Sequence, residues 1–151
     1  MSPPMDTIVV GVDGSEGGAA ALEFAAGEAA FRGARLRIVS AWQVPVTAYG
    51  DFAPPVDPAI WDAFRGRAEQ VANDALAAAK TLQPSLEAEA RAEQGHPADV
   101  LLEQGADATL IVVGRRGLGG FKSLLLGSVS QQIVQHAVCP VVIVNQPAPV
   151  S

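Results

Sequence analysis

The chain has one cysteine among its 151 residues, Cys139, so it cannot close a disulfide within itself. That fits a reducing compartment. The opening residues, MSPPMDT, have neither the basic segment nor the apolar core of a secretory leader, so the expected location is the cytoplasm. No apolar run approaches the roughly 20 residues that a membrane-spanning helix needs. Basic residues are scarce: 10 Lys and Arg stand against 16 Asp and Glu, for a net charge of −6. A broad basic face for nucleic acid or anionic lipid is therefore not expected. Two histidines and one cysteine do not fall at metal-ligand spacing. The chain also lacks a G-x-x-x-x-G-K-[ST] loop, and no G-x-G-x-x-G follows a strand.

What is present is an apolar chain with a regular rhythm. Hydrophobic residues make up 49% of it, which excludes a disordered polymer and gives one domain, 1–151, enough apolar surface for a core. Strand and helix patterns alternate. Residues 7–12 (TIVVGV), 35–42 (RLRIVSAW), 86–92 (LEAEARA), 109–114 (TLIVVG) and 141–144 (VVIV) read as strands. An alanine-rich helix is expected from Gly17 to Arg32, with Gly33 as its stop. A longer helix should cover Ala59 to Leu82, with Ile60, Phe64, Ala68, Val71, Ala75 and Leu82 on one stripe. Pro97 opens a short third helix to Gly105, and a fourth runs through SVSQQIVQHAV to a stop at Pro140.

The pattern predicts an α/β fold: a doubly wound, five-stranded parallel sheet with helices on both faces. The candidate orders are 3-2-1-4-5 and 2-1-3-4-5. The first is preferred because it places the strictly alternating 86–92 strand at an edge. The last strand is then the other edge. It lacks protective charges, which points to a homodimer pairing residues 141–144 of two chains.

In such sheets ligands sit where the winding reverses, beyond the C-terminal ends of the strands. The preferred order puts two glycine-rich loops there. The first, VDGSEGG at 12–18, carries Asp13, which suits a ribose hydroxyl, a phosphate-bound Mg²⁺, or a plain helix-capping turn. The second, GRRGLGGFKSLLLGSVS at 114–130, has five glycines and three cations, Arg115, Arg116 and Lys122. Gly114 and Gly117 allow close backbone approach. Ser128 to Gln131 has capping-box spacing, and the amides of that helical turn form an anion site. The physical expectation is a phosphate or nucleotide cradle. His96, His136, Cys139, Trp42 and Trp61 read as structural, whereas Tyr49 and Phe52 on the proline-rich 43–58 connection could cover a ligand.

Gly114, Gly117, Gly127 and Ser128 form G-x2-G-x9-G-S. With VGVDGS near the start, GHPADVLL at 95–102 and CPVVIV at 139–144, the chain resembles the universal stress protein family, in its ATP-binding branch. The resemblance implies a five-stranded dimeric domain that binds ATP, with Mg²⁺ reachable through Asp13. Carried over by position, it implies Asp13 at the ribose or triphosphate and the Ala41 backbone at adenine. Gly114, Arg116 and Gly117 would line the ribose and phosphate path, and Gly127, Ser128, Val129 and Ser130 would hold phosphates by amides and hydroxyls. The leading function is an adenine-nucleotide-binding regulatory or stress-response protein. No catalytic constellation stands out. Weak ATP hydrolysis, or autophosphorylation on Ser128 or Ser130, is the most that is expected. The alternatives are an ATP-using hydrolase or transferase on the same fold, a cyclic AMP binder, and a nucleotide-free dimeric scaffold. A phospho-receiver domain is disfavoured, because no Asp follows the third strand in EQGH.

Overall fold

The computed structural model describes residues 5–45, 56–115 and 126–145. Five strands, β1 (Thr7–Gly11), β2 (Arg35–Trp42), β3 (Ala88–Gln94), β4 (Leu110–Gly114) and β5 (Val141–Val144), form one sheet in the order β3-β2-β1-β4-β5. Every pairing is parallel. Four helices cross between them: α1 (Glu16–Arg32), α2 (Pro58–Leu82), α3 (Pro97–Gln104) and α4 (Ser128–His136). The preferred sequence-based order is the observed one.

Successive strand residues face opposite sides of a sheet, so a strand covered on both faces needs every position apolar. β1 and β4 do this. Ile8, Val10, Leu110 and Val112 enter the core under α1 and α2. Val9, Ile111 and Val113 enter the core under α3 and α4. α1 buries Gly17, Gly18, Ala21, Leu22, Ala25, Ala26 and Ala29. Only Leu22 among these has a long side chain, which lets the helix axis lie close to the strands. Gly33 ends α1 at φ 67°, donating its N–H to the Ala29 and Ala30 carbonyls.

Three local expectations change. β3 begins at Ala88, two residues late, because Leu86 donates its N–H to the Gln83 carbonyl in a turn and tucks into the core. On α2 the buried positions are Ala68, Ala72 and Ala79, whereas Ile60, Phe64 and Leu82 are exposed. The reason is length. Twenty-five helical residues reach about 37 Å, while the eight of β2 reach about 26 Å, so the sheet cannot cover the whole length of α2. Near its start Trp61 meets Trp42 of β2 edge to face, with ring centroids 5.9 Å apart. Lastly, α4 stops at His136, two residues before the expected end, and Val138 is exposed.

One buried cation, Arg37, ties α3 to the sheet through partners at the surface. Arg37 on β2 donates to Glu89 of β3 at 3.0 Å, to the Gln104 carbonyl at 2.9 Å and to Asp107 at 3.2 Å. Burial opposes the Arg37 charge, but these acceptors outweigh it and hold the guanidinium pKa up. Burial likewise pushes the Glu89 carboxyl up, but Arg37 and Arg91 outweigh it, so the net shift is downward.

Candidate functional site

The winding reverses between β1 and β4, where Val10 faces Val112. The two chain segments leaving those strands touch. A Cβ built on Gly114 would lie 2.7 Å from the Gly17 carbonyl oxygen, in the first turn of α1. The glycine at 114 is therefore required by packing of strand end against helix start, whatever ligand the crevice takes.

The first loop is closed upon itself. Asp13 accepts through Oδ1 from the Ser15 amide at 3.0 Å and from the Ser15 hydroxyl. Ser15 is the N-cap of α1 and accepts from the Gly18 amide at 3.1 Å. Asp13 thus orders the turn through Oδ1, the plainest of its three expected roles. Ser15 was not singled out in the sequence, although D-x-S before an alanine-rich helix is a legible Asx-turn and cap signal.

The second loop leaves β4 at Arg115 and returns at Gly127. The Arg115 carbonyl accepts from the Gly127 amide at 2.8 Å and from the Ser130 hydroxyl at 2.8 Å. The Arg115 amide donates to the Val144 carbonyl of β5 at 3.1 Å. One residue therefore joins β4, β5 and α4. Arg115 drew attention in the sequence as a cation. The backbone role shown here has no sequence signal.

Gly127 is the N-cap of α4, with φ −71° and ψ 165°, and its cap position carries no side-chain hydrogen bond. This corrects the expected capping box: Ser128 is the first helical residue rather than the cap. The physical reason is that the Gln131 amide, which a Ser128 cap would bind, already donates to the Gly127 carbonyl at 3.0 Å. Ser128 is exposed, Val129 is half-buried against the α3/α4 core, and Ser130 is 3% exposed. The first-turn amides of α4 precede any intrahelical partner, and the dipole favours an anion there.

Ala41 lies near the end of β2, half-buried and on the α3/α4 face. The expectations on Arg116, Gly117, Gly119, Gly120, Lys122, Tyr49 and Phe52 fall outside the described residues. Thus Asp13, Gly114, Gly127, Ser128, Val129 and Ser130 sit on segments around one reversal, with Ala41 one strand away. His96 is structural as expected: it caps α3, with Nδ1 accepting from the Ala98 amide at 3.3 Å. Burial raises the Cys139 thiol pKa, which disfavours the thiolate. Among the described residues, no group of three or more His, Cys, Asp or Glu could hold a metal ion, and no helix is long and apolar enough to cross a membrane.

Sheet order, reversal and a glycine-capped helix opening on it define a doubly wound α/β domain with its crevice between β1 and β4. More narrowly, the chain belongs to the universal stress protein family, whose sequence profile matches residues 5–145. It is similar to a universal stress protein of Thermus aquaticus, 39% identical over 92% of this chain and 98% of that one. It is 35% identical to a universal stress protein of Mycolicibacterium smegmatis over 91% of this chain and 45% of the other. The chain thus spans about half the length of several curated relatives it matches. Among solved structures, it resembles a universal stress protein in complex with cyclic AMP, at 28% identity and TM-score 0.68, over 95% of this chain and 98% of that one.

Proposed function

We propose that the chain is an ATP-binding regulatory protein of the stress response, working in the cytoplasm. The adenine nucleotide lies between the loop after β1 and the glycine-rich loop after β4, with its phosphates on the amides of Ser128, Val129 and Ser130. The observation that carries this reading is the α4 N-terminus: it opens beside the reversal with glycine as its cap and no acid in its first turn. Each charge-assisted hydrogen bond there is worth about 1.5–3 kcal/mol, enough for several to hold a polyphosphate. The Ala41 backbone meets adenine, and Asp13 meets ribose hydroxyls or a phosphate-bound Mg²⁺. Arg116 and Gly117 of the family motif complete the phosphate path.

The structure with cyclic AMP favours a second ligand for the same pocket, so one experiment should compare both. Calorimetry of purified protein with ATP, ADP, AMP, cyclic AMP and adenosine, with and without Mg²⁺, should show affinity rising with phosphate number. Highest affinity for cyclic AMP would favour the second reading. No heat from any of them at millimolar concentration would end both.

The reading includes a homodimer through β5. All four β5 residues are half-buried, and β5 pairs only with β4 among the described residues. Val134 and Val138 nearby are 51% and 81% exposed. Light scattering should give a dimer mass, and a monomer at high micromolar concentration would rule this part out.

A further inference from the structure

We infer that Ser130 is a positioning residue for the phosphate site, not one whose hydroxyl touches phosphate. The inference rests on the reading of the α4 N-terminus as that site. A serine hydroxyl has one proton to donate, and a phosphate oxygen can only accept. The Ser130 proton is already donated to the Arg115 carbonyl at 2.8 Å, with the Gly127 carbonyl as a longer neighbour at 3.4 Å. Ser130 is 3% exposed, so its side chain faces protein rather than the crevice.

What the hydroxyl does is hold the start of α4 against the end of β4. The Arg115 carbonyl has two lone pairs. The Gly127 amide takes one and Ser130 takes the other. The Arg115 amide is bonded in turn to Val144 of β5. The first-turn amides of α4 are thereby fixed in direction before any ligand arrives, and a preorganised site loses less on binding.

The test is Ser130→Ala beside Ser128→Ala, read by amide hydrogen exchange of the ligand-free protein and by affinities for ATP and adenosine. Removing the Ser130 hydroxyl leaves the Gly127–Arg115 bond in place, so the chain should still fold. Exchange at Gly127 should quicken about ten-fold in Ser130→Ala, while core amides of β1 and β4 keep the wild-type rate. ATP affinity should fall about ten-fold and adenosine affinity should not change. Ser128→Ala should leave ligand-free exchange at Gly127 as in wild type. Unchanged Gly127 exchange in Ser130→Ala overturns the inference, and so does an equal acceleration across the whole sheet. If the wild type binds no nucleotide, the proposed function fails, while the exchange measurement still decides whether Ser130 is the latch.

Discussion

α1 and α4 both begin at the same reversal of the sheet, one on each face, and their first turns are built in opposite ways. α1 is closed: Ser15 caps it, Asp13 braces Ser15, and Glu16 adds a negative charge to its first turn. α4 is open: its cap is Gly127, and its first turn holds no acid. On the proposed function, two helices of the same polarity differ in anion binding through Asp13, Ser15, Glu16 and Gly127. Lying at the crevice gives a helix the opportunity to bind phosphate. Capping and first-turn charge decide whether it does so.

The largest effect should come from joining the two regions badly. Gly114→Val drives a side chain into the Gly17 backbone and should cost about 3 kcal/mol, seen as a Tm lower by roughly 6–12 °C. A wild-type Tm in this variant, with binding lost, would return Gly114 to a purely ligand-facing role.

Next is an attempt to make α4 resemble α1. Gly127→Asp adds a capping carboxylate at a φ that any residue adopts. ATP affinity should fall about a hundred-fold by repulsion, with stability equal to wild type or a few tenths of a kcal/mol higher. Retained ATP affinity would show that the phosphates lie elsewhere.

A control removed from both helix starts is Arg37→Met. It should cost about 2 kcal/mol in urea unfolding and leave nucleotide affinity unchanged. The sign of the pH effect follows from Glu89. Its native pKa is lowered, so the pair's stabilisation is complete above the ordinary glutamate range and is lost as pH falls through the native value. The acid limb of stability against pH should therefore be shallower in Arg37→Met than in wild type.

The smallest effect belongs to the closed helix. Ser15→Ala removes the α1 cap and should cost about 1 kcal/mol. ATP affinity should stay within about two-fold, a difference well under 1.4 kcal/mol. A large loss of affinity would make α1 part of the anion site and erase the contrast.

Much of the frame could be read from residue order, because parallel sheets impose strong patterns. Continuous apolar runs mark β1 and β4, strict alternation in LEAEARA marks an edge, and the reversal follows from the two. Side chains that act through distant partners were not legible. Arg37 looks like one polar residue in a strand until the β2–β3 register sets it opposite Glu89 and the α3 turn brings Asp107 beside it. The apolar stripe of α2 misled at Ile60, Phe64 and Leu82, because periodicity says nothing of where the sheet ends. At the candidate site, the strand order located the reversal, but the cap fell on Gly127 rather than Ser128. A serine two residues into a helix can bond backward as readily as forward, and only the position of the Arg115 carbonyl decides between them.

The most direct test of the contrast is a titration of ¹⁵N-labelled protein with ATP, following backbone amides. The expected result is movement of Ser128, Val129 and Ser130 that saturates with nucleotide, while Gly17 stays unmoved and Gly18 keeps its bond to the Ser15 hydroxyl. Saturating shifts at Gly17 and Gly18, with the α4 amides unmoved, would contradict the account.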